Sequence, residues 1–102
     1  MENKKGSSTI EEAERNFKEA NKAIKTGIFN WSADYLEGSM KFERAAKLFK
    51  TLGNKEKALQ AYLKYSMCSE KINENFGAAE GLMEAAFLEK DKRKSLDYLH
   101  LA

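Results

Sequence analysis

Proline is absent from the 102 residues, so no position refuses a helical hydrogen bond and no turn is stiffened by a ring. Cysteine occurs once, at Cys68, which excludes an intrachain disulfide and fits a reducing, cytosolic compartment. Uninterrupted apolar runs are no longer than Ala85–Leu88, whereas a bilayer-spanning helix needs about 20 such residues. Any membrane contact is expected to be peripheral. The start MENKKGSS has no apolar secretory core, Glu2 stands where myristoylation needs glycine, and the end HLA offers no prenylatable cysteine, so neither leader nor lipid anchor is expected. A surplus of one charge is missing too. The 18 basic and 16 acidic side chains leave a net charge of +2, too little to condense on a phosphate backbone, and no nucleic acid is expected as a partner.

Chemistry-bearing constellations are equally scarce. His100 is the sole histidine, so it has no second imidazole with which to share a metal. Cys68 lies beside Ser66 and Ser69 without a histidine at a suitable spacing, the setting of a small packing residue rather than a nucleophile. Glu11, Glu12, Glu14 and Glu70 fall on helix starts or polar faces, where capping and solvation account for them. Gly77 and Gly81 lack the Lys-Ser/Thr of a phosphate loop. The run Lys90–Lys94 reads as a solvated turn with Asp91 inside it. Met1, Met40, Met67 and Met83 are dispersed, as gap-filling residues are. No catalytic residue, cofactor or metal ligand is therefore expected, and the chain does not read as an enzyme.

What is present is helical periodicity, with 42% hydrophobic and 33% charged residues interspersed, and the fold class expected is all-α. Residues 1–8 read as a disordered tail. Ser8 with Glu11, and Thr9 with Glu12, have capping-box spacing, which predicts a first helix from near residue 9. Its stripe is Ile10, Ala13, Phe17, Ala20 and Ile24, with Gly27 placed as a left-handed stop. Ser32 or Asn30 can cap a second helix with Tyr35, Ser39, Phe42, Ala46 and Phe49 inward and Leu36, Ala45, Leu48 and Leu52 on the adjoining face. Gly53 ends it and Asn54 caps a third, about Lys55 to Ile72, with Ala58, Ala61, Tyr62, Tyr65 and Ser69 inward. Asn73–Asn75 supplies a stop and a new cap for a fourth helix from Phe76 to about Glu89, with Ala79, Leu82, Met83, Ala86 and Phe87 inward. Gly77 and Gly81 within it mark close backbone approach. Asp91 caps a fifth helix that reaches the end of the chain with no stop signal.

The second and fourth helices match at a period of about 40 residues, as Gly38 with Ala78, Phe42 with Leu82, Ala45-Ala46 with Ala85-Ala86 and Leu48 with Leu88. A two-helix unit of that period predicts an α-solenoid of tetratricopeptide-like hairpins, since a single hairpin cannot bury its apolar faces until a neighbour stacks on it. The alternative is a compact five-helix bundle. Carrying the period forward places Ala102 opposite Tyr62, midway along the third helix, so the solenoid is expected to be partial, with an uncapped end open to self-association.

The stretch KTGIFNWSADYLEGSMKFERAAKLFK, followed by KEKALQAYLKYSMCSEKINENFGAAEGLMEAA, resembles the amino-terminal third of the soluble NSF attachment protein family, and most of all its gamma branch. The resemblance covers about residues 10–102. It rests on Gly27–Phe29 after Lys-Thr, on Trp31 with Asp34-Tyr35, on Phe42-Glu43 with Ala45-Ala46 and Phe49-Lys50, and on Phe76 with Ala78-Ala79. It implies an adaptor that lies along a bundle of SNARE proteins and recruits the hexameric ATPase NSF to unwind it during vesicle transport, cytoplasmic and peripheral on membranes. The family's NSF-contacting region belongs to the carboxyl end of a longer chain and has no counterpart here, so NSF is expected as a partner only where that region is present. The proline that ordinary tetratricopeptide units carry after the second helix is also missing. Read without the resemblance, the residues fit a generic helical-repeat scaffold that binds a peptide or another helix.

Ile28, Phe29 and Trp31 are large apolar side chains in the turn between the first two helices. The resemblance implies that this loop dips into the bilayer, with Lys25 assisting at an anionic surface. The other reading is structural: Trp31 folds back as a hydrophobic staple against Tyr35, and Phe29 closes the end of the first hairpin.

Overall fold

The computed structural model describes the backbone of residues 2–25 and 33–101, with side chains from Thr9 onward within those spans. Helices α1 (Glu2–Ala23), α2 (Tyr35–Thr51), α3 (Lys55–Lys71), α4 (Asn75–Leu88) and α5 (Lys92–Leu101) account for the regular structure of the described residues, which include no strand. Each helix packs against the next in sequence, and three-residue links make neighbours from α2 onward antiparallel.

Local chemistry sets the boundaries. Gly53 takes a left-handed φ of 82° and Asn73 one of 60°, and both reverse the chain where a further helical residue would continue it. Asn54 caps α3 by accepting a hydrogen bond from the Lys57 amide at 3.1 Å. Asp91 does the same for Arg93 and Lys94 at the start of α5. Two starts differ from the sequence expectation. The cap of α2 is Asp34, which accepts from the Glu37 amide at 3.0 Å; Ser32 and Asn30, the expected caps, lie outside the described residues. Asp34 can serve because its own amide donates to the Ala23 carbonyl at 2.8 Å, which aims the carboxylate along the first turn of α2. Helix α1 begins at Glu2 rather than near residue 9. With no proline before Thr9 nothing forbids the extra turns, and Gly6 and the serines lower propensity without breaking the ladder.

The core forms where α1, α2 and α3 meet. Ala13, Ala20, Phe42, Ala45, Ala46, Phe49, Ala58, Ala61 and Cys68 are essentially inaccessible. Phe17 approaches Phe42 and Phe49 edge-on, with ring centroids 5.5 and 6.2 Å apart, the geometry that aromatic quadrupoles favour. The buried Ser39 and Ser69 hydroxyls satisfy each other at 3.2 Å.

Helix α4 is attached differently. Its buried residues are Gly77, Gly81, Ala85 and Ala86, while Met83 and Phe87, expected inward, are exposed. The small residues recur every four positions and let the α4 backbone settle onto α3. A methyl group added at Gly81 would lie 2.7 Å from the Tyr62 carbonyl oxygen. Ser66 Oγ donates to the Ala78 carbonyl at 2.6 Å and Tyr65 OH to Glu80 at 3.0 Å across the same junction. Helix α5 is tied to α4 by Ser95 Oγ, which donates to the Ala86 carbonyl at 2.7 Å.

Helices α1 and α3 lie side by side, joined by Lys57–Glu14 at 2.6 Å and Lys64–Asn21 at 2.7 Å; α2 and α4 are likewise joined by Lys50–Glu84 at 2.8 Å. The molecule measures 43 × 41 × 20 Å with a radius of gyration of 14.1 Å. The short dimension is two helix diameters of about 10 Å each, and a ball of this length would have a radius near 13 Å. The architecture is a flat two-layer solenoid of helical hairpins, not the compact bundle.

Candidate functional site

The loop between α1 and α2 springs from a fixed base. Ile24 and Tyr35 pack against the core from either side of it, and the Asp34–Ala23 hydrogen bond closes its neck. Gly38 belongs to the same base, because a methyl group there would meet Ile24 Cγ2 at 2.5 Å and Cys68 Sγ at 3.3 Å. Of the residues expected to touch a membrane, Lys25 is exposed at the end of α1, its amide donating to the Lys22 carbonyl at 3.3 Å. Ile28, Phe29 and Trp31 lie outside the described residues.

The outer surface of the α1–α3 layer is polar, with exposed acids such as Glu11 and Glu14 among exposed bases. Lys64 reaches Asn21 at 2.7 Å while lying 5.7 Å from the ring centres of both Phe17 and Phe42. Its ammonium thus roofs the aromatic core as a cation over two ring faces. Arg15, Lys18 and Lys22 are exposed on α1. Among the described residues none of the three is in an ion pair. The sequence reading overlooked this group, although cations three and four positions apart were its visible signal.

On the opposite layer a groove between α2 and α4 is lined by Lys47, Lys50, Glu80 and Glu84, with Tyr62 at its floor. Burial pushes the Tyr62 hydroxyl up to about 12, and the surrounding glutamates push the same way. Large apolar side chains stand out from this layer: Leu36 and Met40 on α2, and Phe76, Met83 and Phe87 on α4. Leu96 and Leu99 on α5 are also exposed.

The sulfur and imidazole are not assembled for chemistry. Cys68 is fully buried, which raises its thiol to about 11 and keeps it protonated. His100 is exposed on α5. Among the described residues no three acidic, histidine or cysteine side chains are grouped to hold a metal ion, and no helix is long and apolar enough to cross a membrane.

Stacked helical hairpins that present broad polar and apolar faces define a helical-repeat protein built for surface contact. A family model described as soluble NSF attachment protein, SNAP, matches residues 4–101, and the chain belongs to that family. It is similar to the gamma-soluble NSF attachment protein of Dictyostelium discoideum, with 28% identity over 90 residues, which make up 88% of this chain and 28% of that protein. The chain thus spans 28% of the length of that relative.

Proposed function

We propose that the chain is a non-enzymatic adaptor that binds SNARE complexes in vesicle-mediated transport, in the cytoplasm and on membrane surfaces. The observation that carries this reading is the family match across residues 4–101, on a flat two-layer solenoid whose layers leave elongated faces for a rod-shaped client. In this reading residues 9–102 supply the SNARE- and membrane-facing helix pairs, and NSF is recruited only when they are joined to a carboxyl-terminal region of the family's kind. The loop that carries Ile28, Phe29 and Trp31 supplies the bilayer contact. Burying such side chains is worth about 1.5–3 kcal/mol each, enough to reinforce an adaptor already concentrated at the membrane by an anchored client. Self-association through the exposed Leu96 and Leu99 of α5 belongs to the same proposal.

Retention on an immobilised, assembled SNARE bundle tests the adaptor reading. Specific retention over unrelated helical peptides is expected, and equal retention of both would leave only a generic scaffold. Light scattering across a concentration series tests self-association, which a monomer at every concentration would rule out.

A further inference from the structure

We propose that Ser95 is a phosphorylation site for a kinase with an acidic substrate groove, and that the phosphate frees α5 from α4. The run Lys90–Lys94 has no part in the adaptor role proposed above. It ends in Lys92-Arg93-Lys94, and Ser95 and Leu96 follow directly. Three cations before a hydroxyl, with an apolar residue after it, suit a groove lined by carboxylates and closed by an apolar pocket, the arginine fork pairing both oxygens of one carboxylate. Lys92, Arg93, Lys94 and Leu96 are exposed. Among the described residues none of the three cations is in an ion pair. Two acids flank the segment. Asp91 is turned to the amides of Arg93 and Lys94, from which it accepts at 2.9 and 3.4 Å, and Asp97 is exposed beyond Leu96.

The Ser95 hydroxyl comes within reach because α5 is lightly held. The helix has no buried residue. Ser95 Oγ donates to the Ala86 carbonyl at 2.7 Å, and Tyr98 OH donates to Glu89 at 3.3 Å, its ring packing against the core. An element with so few buried contacts opens at a fraction of the cost of global unfolding, and opening lets a kinase take residues 92–96 as an extended segment. The transfer then balances. Ser95 Oγ bonds to the γ-phosphorus of ATP as the bond from that phosphorus to the bridging oxygen breaks; ADP leaves with the electron pair, and the hydroxyl proton passes to a base of the kinase.

Once made, the phosphate ester does not fit the place the hydroxyl left. Ala86 lies in the last turn of α4, so its carbonyl is one of the four that a helix leaves without an internal partner, and Ser95 supplies the missing donor. A phosphoserine carries a charge of about −1.5 to −2 and offers acceptor oxygens. It has no proton for the Ala86 carbonyl, and it meets the negative end of the α4 dipole at a junction that already holds Glu89. Lys92, one turn back, is the cation that can follow it, but Lys92 belongs to α5 and leaves with the helix. Modification therefore removes a bond from the α4–α5 junction and adds repulsion to it.

The folded full chain, with its R93Q and S95A variants, is incubated with ATP and the catalytic subunit of cyclic-AMP-dependent protein kinase, which reads basic residues before serine. An acid-directed casein kinase serves as the control, and fragment mass spectra locate the phosphate. Wild type is expected to carry it on Ser95 with the first enzyme and not with the second. R93Q should be modified about tenfold more slowly or worse, and S95A should carry nothing at that position. Amide hydrogen exchange reads the consequence. In the phosphorylated chain residues 92–101 should exchange at least about tenfold faster while α2 and α3 are unchanged, and S95A, which loses the bond without gaining charge, should show a smaller increase. The proposal is overturned if wild type is left unmodified at Ser95, including the case of a phosphate only on Ser7, which follows Lys4-Lys5-Gly6. It is also overturned if R93Q is modified as fast as wild type, if the acid-directed kinase serves equally well, or if α5 of the phosphorylated chain exchanges as before.

Discussion

Helices α2 and α4 hold equivalent places in the repeat and in the same layer, yet they are fastened by opposite means. Helix α2 inserts two phenyl rings, Phe42 and Phe49, between α1 and α3, so side-chain volume removed from water does the holding. Helix α4 inserts no ring. It presents Gly77, Gly81 and Ala85, its backbone lies against α3, and its two phenylalanines point away, Phe76 at 74% and Phe87 at 82% exposure. One repeat position therefore tolerates two solutions, cross-layer wedging and close backbone contact. The second leaves the bulky residues free for outside contacts.

The largest effect is expected where α2 depends on volume. Phe42→Ala removes a fully buried ring in contact with Phe17 and roofed by Lys64. It should destabilise by about 3–5 kcal/mol, measured by urea unfolding. For a chain of this size that lowers the melting midpoint by at least 10 °C or so. A loss under about 1 kcal/mol would remove the contrast between the two helices.

Gly81→Ala is the matching test of α4, and it inverts the usual expectation for a helix. Alanine in place of an interior glycine normally gains about 1 kcal/mol. Here the added methyl would sit 2.7 Å from the Tyr62 carbonyl and 3.0 Å from the Ser66 amide nitrogen, backbone atoms that cannot turn aside, so α3 and α4 must separate. A net loss of about 2 kcal/mol is expected. Gly53→Ala serves as the control for a different cause, since nothing lies within 4 Å of that site and the penalty comes from its φ of 82°. A stabilised Gly81→Ala would show that the backbones are not in contact.

Much of this was legible in the sequence, and the failures have physical causes. The inward set Ala58, Ala61, Tyr62, Tyr65 and Ser69 of α3 is buried as read, because α3 lies between α2 and α4 and its periodicity reports a wide buried face. Gly53, Asn54 and Asp91 act as read because turn and cap chemistry is local. Helix α4 misled because its apolar residues cover nearly the whole circumference, so periodicity could not choose a side. The deciding signal is the recurrence of small residues at Gly77, Gly81 and Ala85; sequence reading takes the two glycines alone as marks of close approach and does not let them set the inward face. The cap at Asp34 was missed because the hydrogen bond from its amide to Ala23 spans the loop and leaves no trace in local composition.

A smaller effect is expected from pH at the groove shared by α2 and α4. Tyr62 is neutral when protonated, and its folded value of about 12 exceeds the ordinary 10. Its contribution to stability is therefore complete below pH 10 and is lost as pH rises from 10 toward 12. Tyr65, shifted further in the same direction by burial and its bond to Glu80, adds to the trend. For Tyr62 the loss should amount to on the order of 1 kcal/mol. Urea midpoints measured across that range for wild type and Tyr62→Phe are the check: the variant should flatten the alkaline decline, and parallel declines would assign it elsewhere.

The smallest effect should come from the residues that α4 turns outward. Phe87→Ser replaces a ring that is 82% exposed, and away from caps, cavities and buried polar groups a surface substitution usually changes stability by no more than about 0.5 kcal/mol. The urea midpoint should hardly move, whereas Phe42→Ala, an aromatic deletion at the other repeat-related helix, moves it by several times as much. Should Phe87→Ser cost about 1 kcal/mol or more in dilute solution, the ring must be covered there. Repeating the measurement across a concentration series would then decide what covers it, because a second copy makes the loss depend on concentration and an intrachain contact does not.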